Sequence, residues 1–110
     1  MNRKIKLYFL GVVTLTISCS GGTKTEFWVR GNCEMCEARI ESVLTHTAGV
    51  KSADWNVDSK IATVFYDSSQ VTVQKLNEVV AKSGHGTRNV KEDSVAYWKL
   101  PKCCLKPEDM

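Results

Sequence analysis

Between Glu26 and Glu92 the spacing of apolar residues switches from two to about 3.6 and back, twice over, which leaves few folds open. Phe27-Trp28-Val29 is aromatic and β-branched and reads as a strand ending at Gly31. From Cys36 onward Ile40, Val43 and Leu44 recur at helical spacing, with Glu37, Arg39 and Glu41 on other faces, and Gly49 stops that helix. Ala53, Trp55 and Val57 then alternate with Asp54, Asn56 and Asp58, the period of a strand with one buried face. Asp58-Ser59-Lys60 makes a tight turn, and Ala62, Val64 and Tyr66 share one face of the next strand. Thr72 caps a second helix with Val73, Leu76 and Val80 as its inner stripe; Gly84 closes it, and Thr87 to Val90 supply a last strand. The expected fold class is α+β: a ferredoxin-like βαββαβ sandwich, four antiparallel strands with two helices on one face. A unit this small has a modest core, and Trp28, Trp55 and Tyr66 read as its filling.

The 110 residues have room for one such domain. The chain opens on Arg3, Lys4 and Lys6, continues with the apolar run Leu7 to Ile17, and then turns to small residues. That is the pattern of a secretory signal over residues 1–18, and the apolar run falls short of the about 20 residues that span a bilayer. Cys19 stands directly after the apolar run, between Ser18 and Ser20-Gly21-Gly22, and these few residues resemble a bacterial lipoprotein cleavage site. The usual leucine three places before the cysteine is Thr16 here. The alternative is an ordinary secretory signal with an incidental thiol. With lipidation, Cys19 becomes the mature N-terminus, residues 19–25 a tether, and the protein is exported and held on a membrane of the cell envelope.

Charge excludes one class of partner. The net +3 equals the three basic residues of the signal, leaving 12 basic and 12 acidic side chains in the rest. No electrostatic footprint for nucleic acid remains.

Cys33 and Cys36 lie between the first strand and the first helix, in Gly31-Asn32-Cys33-Glu34-Met35-Cys36. Two intervening residues let both sulfurs turn to one point, the spacing that soft-metal sites use. Cys36 falls in the first helical turn, where free N–H groups favour the thiolate that binds metal. A thiolate pair prefers Cu(I), Zn(II) or another soft ion to Mg(II) or Ca(II). In an oxidising compartment the same pair would also suit a structural disulfide. A thiol–disulfide oxidoreductase is the functional rival; against it, no Trp precedes Cys33, and the only prolines, Pro101 and Pro107, lie in the tail. No acid–base or nucleophile–base pair stands out, so the chain is expected not to be an enzyme.

With these residues in view, the span from Phe27 to Val90 resembles the heavy-metal-associated domain of copper chaperones, mercury-binding proteins and the N-terminal modules of metal-pumping ATPases. The matching residues are Gly31, Cys33-Glu34-Met35-Cys36, Gly49-Val50, Ala62-Thr63-Val64-Phe65-Tyr66-Asp67, the Leu76 helix and Ser83-Gly84-His85. The resemblance implies Cys33 and Cys36 as ligands, metal carriage or transfer as the activity, Cu(I) as the first cargo with Zn(II) or Hg(II) as alternatives, and a metal-transporting membrane protein as a partner. Two positions depart from the pattern. Gly31 stands where the family has an inward Met, a packing role Met35 is positioned to take over. His85 stands where the family often has Tyr or Lys near the metal, so its imidazole is a candidate third ligand, the alternative being a solvent-facing loop histidine; His46 reads as surface.

Residues 93–110 form a tail with Cys103 and Cys104. Neighbouring cysteines do not easily bridge each other, so these either pair elsewhere or hold a thiophilic metal. Without Cys19 the chain has four thiols, the count of a closed tetrahedral site. Tyr97, Trp98 and Leu100 are apolar enough to dock the tail on the sheet.

Overall fold

The computed structural model describes residues 22–110. The signal expected over residues 1–18, the lipidation expected at Cys19 and the start of the tether lie outside the described residues. Among the described residues no helix is long and apolar enough to cross a membrane.

Strand β1 (Thr23–Trp28) pairs antiparallel with β3 (Ile61–Tyr66), from Thr23 opposite Tyr66 to Trp28 opposite Ile61. On the other side of β3 lies β2 (Val50–Trp55), also antiparallel, with a bulge between Val50 and Ser52. Period two sets the faces. Ala62, Val64 and Tyr66 point into the core, while Phe65 is exposed. Helix α1 (Glu34–Thr45) buries Cys36, Ile40 and Leu44, and helix α2 (Val73–Lys82) buries Leu76, Val80 and Ala81. These residues share one core with the inward side of the sheet. Glu34 and Glu37 put negative charge in the first turn of α1, where the helix dipole favours it. Thr72 caps α2 by accepting the Lys75 N–H, at 3.1 Å. Gly49 and Gly84, at φ +94° and +106°, supply the left-handed turns after the two helices.

Two expectations are corrected. The sheet has three strands in the order β1-β3-β2, not four. Residues 87–90 make a single bridge, Thr87 to Val29, and then turn away. The Thr87 N–H donates to the Val90 carbonyl at 2.9 Å, and its hydroxyl accepts from the Asn89 and Val90 N–H groups. A local threonine turn thus takes the amides a fourth strand would have used. Trp28 is the second correction: with Phe27 and Val29 facing inward, its parity places it on the other face. It is half-buried there, with the Arg88 guanidinium 4.6 Å from the ring centre.

The tail is part of the folded body. Asp93 caps α3 (Ser94–Trp98) by accepting the Ala96 N–H at 2.9 Å, and two 3-10 turns follow, Lys102–Cys104 and Pro107–Asp109. Tyr97, Leu100, Cys104 and Leu105 join the core. Trp98 does not: it is 61% exposed. The tail packs on the turn at the end of α2 and on the loop before α1. A Cβ on Gly84 would lie 3.2 Å from the Ala96 backbone and 3.1 Å from the Leu100 methyl Cδ1, tighter than ordinary contact, so the glycine suits the close approach of α3.

Candidate metal centre

Cys33 is the N-cap of α1, in extended conformation (φ −151°), and its carbonyl accepts the first helical bond from the Glu37 N–H. Cys36, one turn in, is buried. The sulfurs of Cys33 and Cys36 are 3.6 Å apart, and the Asn32 N–H points at the Cys36 sulfur at 3.3 Å. The loop rests on Trp55. That indole is 1% exposed, donates Nε1–H to the Val29 carbonyl at 3.1 Å, and presses on Gly31. A Cβ on Gly31 would lie 2.8 Å from Cη2 of Trp55 and 3.0 Å from the Cys36 Cβ. Trp55, and not Met35, therefore occupies the space under the loop; Met35 is 51% exposed, its sulfur 3.6 Å from that of Cys103.

The structure brings Cys103 and Cys104 to the same place. Cys103 lies 3.0 Å from Cys33, sulfur to sulfur, and the sulfurs of Cys33, Cys103 and Cys104 all fall within 4.8 Å of one another. Two side chains that the sequence gave no reason to single out set this contact. Asn32 donates its amide N–H groups to the carbonyls of Cys103 (3.2 Å) and Leu105. Arg30 donates to the carbonyls of Cys104 (3.2 Å) and Gly84 (3.1 Å), and its guanidinium stacks 4.9 Å from the Tyr97 ring centre. Tyr97 in turn accepts the Lys106 N–H and donates to Asp109, which clamps the last residues.

The thiols do not share protons evenly. Burial pushes the Cys33 thiol up, but the Cys103 thiol and the backbone N–H of Cys36 outweigh it and bring the group down to about 7. The neighbouring Cys33 sulfur pushes Cys103 up, and burial, then the Cys36 thiol, pushes Cys104 up. Of these three thiols, Cys33 is held nearest the thiolate at neutral pH, the form that binds a soft cation.

His85 is placed elsewhere. It is 0% exposed rather than a solvent-facing loop residue, and none of the donor groups among the described residues includes it. Its Nδ1 faces the Arg30 carbonyl at 3.0 Å, so Nδ1 carries the hydrogen, and Nε2 has no partner among the described residues. Burial lowers its pKa to about 4, helped by the charges of Arg30 and Arg39 against the Arg30 carbonyl. A neutral imidazole holding the Arg30 backbone is what this geometry shows. His46 is exposed, at the end of α1.

A three-stranded sheet under two helices, with a thiol pair at the start of the first helix, defines the class of small soft-metal-binding modules. The chain belongs to the heavy-metal-associated domain family, whose model matches residues 26–86. It is 33% identical over 57 residues to the copper chaperone CopZ of Staphylococcus epidermidis, covering 52% of this chain and 84% of that one. Among solved structures, a CopZ metallochaperone superposes with a TM-score of 0.57 at 30% identity, over 59% of this chain and 98% of that one. The N-terminal domain of a potential copper-translocating P-type ATPase from Bacillus subtilis, in its Cu(I)-loaded state, gives 0.57 at 34% identity, over 60% and 84%. The oxidised MerP of Ralstonia metallidurans CH34 shares the fold, with a TM-score of 0.52 over 64% of this chain and 100% of that one. The family model ends at residue 86, before the tail.

Proposed function

We propose that the protein is an exported metal carrier that takes up Cu(I) through Cys33 and Cys36 and passes it on or sequesters it. The observation that carries this reading is the pair of sulfurs 3.6 Å apart on the loop before α1, one buried and one partly open to solvent. Cys36 is fixed in the first turn of the helix, so it is the anchor; Cys33, at the helix cap, is the ligand an acceptor reaches and displaces. Soft thiolates select Cu(I), and two of them satisfy a closed-shell monovalent ion without a rigid cage. Zn(II) and Hg(II) are the competing cargoes. The copper-ATPase domain and the CopZ proteins that resemble this chain support a metal-transporting membrane protein as the acceptor. The N-terminal sequence, with its basic start, apolar run and Cys19, supports export and a lipid anchor, and with them a site in the cell envelope.

The test is a competition titration of Cu(I) against Zn(II) and Hg(II) on anaerobically reduced protein. Cys33→Ser and Cys36→Ser should each abolish high-affinity Cu(I) binding and leave the far-ultraviolet spectrum intact. Wild-type affinity in either variant would overturn the assignment. Redox cycling without metal uptake would favour the oxidoreductase instead. Intact mass of the membrane fraction tests the anchor; an unmodified chain, or one retained in the cytoplasm, would refute it.

A further inference from the structure

We infer that the C-terminal segment completes the site, so that Cys33, Cys36, Cys103 and Cys104 together hold a divalent closed-shell ion of the zinc and cadmium class. This rests on the reading of Cys33 and Cys36 as metal donors and adds the ion's charge, its coordination number and the role of the tail.

Geometry is the first ground. A regular tetrahedron built on the zinc–thiolate bond of about 2.3 Å has edges of about 3.8 Å, whereas two sulfurs on opposite sides of one ion stand about 4.6 Å apart at that bond length. The Cys33–Cys36 separation of 3.6 Å matches the tetrahedral edge. Cys33, Cys103 and Cys104 lie within 4.8 Å of one another, with Cys33 and Cys103 at 3.0 Å, so a small outward shift opens room for an ion. The 3-10 turn Lys102–Cys104 sends two adjacent thiols to one centre without a bridge between them.

The second ground is independent of sulfur. The tail is held over the loop by Asn32 and Arg30, whose donors go to the carbonyls of Cys103, Leu105 and Cys104, and by the buried side chains of Tyr97, Leu100 and Leu105. Chain segments about 70 residues apart are thus joined so that the tail thiols reach the loop before any ion arrives. A carrier using Cys33 and Cys36 alone has no need of these contacts, and Cys104, at 0% exposure, is too deep to serve a surface exchange.

Charge decides the valence. Four thiolates around a divalent ion leave −2, which the adjacent Arg30 guanidinium partly offsets; a monovalent ion would leave −3. On binding, each thiol still protonated exchanges its S–H bond for a metal–sulfur bond, and its proton passes to solvent. The ion is then enclosed, and an acceptor must lift the tail before it can take the metal.

The experiment uses the full chain with Cys19→Ala, so that no fifth thiol competes, reduced anaerobically and loaded with one equivalent of Zn(II) or Cd(II). X-ray absorption counts the sulfurs on Zn(II), and the thiolate charge-transfer band follows Cd(II). The expected count is four, falling to two in Cys103→Ser/Cys104→Ser, with Zn(II) affinity lower by at least about 100-fold, beyond what loss of an outer partner costs. Cu(I) affinity should change by less than about 10-fold, because its two ligands remain. Cys103→Ser alone, at a partly open position that does not endanger the core, should give three sulfurs. Asn32→Leu should keep four sulfurs but weaken Zn(II) by roughly 10-fold, as a positioning residue would. Two sulfurs on Zn(II) in the parent, or unchanged affinity in the double variant, would overturn the inference while leaving the Cu(I) reading standing. Undiminished Cu(I) binding by Cys33→Ser/Cys36→Ser would instead overturn the reading beneath it.

Discussion

Gly31→Ala tests whether Trp55 supports the metal loop. The added methyl would sit 2.8 and 2.9 Å from two indole carbons and 3.0 Å from the Cys36 Cβ. Carbon atoms pack best at about 3.5–4.0 Å, so one side must give by roughly 0.7 Å. Trp55 has little room to do so: it is 1% exposed and tied to the Val29 carbonyl. Overpacking of this kind costs about 1–3 kcal/mol. Gly31 does not have a positive φ, so no backbone strain is added, and the lower entropy of the unfolded chain returns about 0.4–1 kcal/mol. The net loss should be about 1–2 kcal/mol, a fall in melting temperature on the order of 10 °C for a domain of this size. Urea denaturation of the reduced, metal-free protein measures it. In a Trp55→Leu background the same substitution should become neutral or favourable, a coupling of at least about 1 kcal/mol. A Gly31→Ala loss within about 0.5 kcal/mol of zero, or no coupling to Trp55, would refute the packing argument.

Two further outcomes concern protons. His85 titrates near 6.5 when unfolded but stays neutral in the fold down to about 4, so the unfolded chain binds the extra proton and stability falls as pH drops through that window. The loss should reach about 2 kcal/mol by pH 5 and vanish above pH 7, a slope in urea midpoints that His85→Asn should lack. Cys33 is brought to about 7, so its alkylation by iodoacetamide should show a midpoint near that pH, with Cys103 and Cys104 slower at neutral pH. A Cys33 midpoint at the ordinary thiol value of about 8.5 would contradict the cluster's hold on it.

What the sequence determined by itself was local. Ile40 with Leu44, and Leu76 with Val80, mark two helices by spacing; Thr72, Gly49 and Gly84 mark where helices start or stop; Ala62, Val64 and Tyr66 mark a buried strand face. The place of Cys33 and Cys36 before α1 belongs to the same class, because a strand, a short loop and a capped helix are written in consecutive residues. Tertiary structure decided the rest. Residues 87–90 have strand composition, yet the Thr87 hydroxyl closes a turn there after a single bridge to Val29. Trp28 and Phe27 are equally apolar, and only the register against Ile61 and Ala62 puts one outside and the other against the core. His85 looks like a loop ligand until burial and the Arg30 carbonyl occupy it. The reach of the tail to Cys33 depends on Asn32 and Arg30 donating to carbonyls about 70 residues away, and a backbone carbonyl leaves no mark in the sequence. Periodicity records which side of an element is buried, and only packing decides what it is buried against.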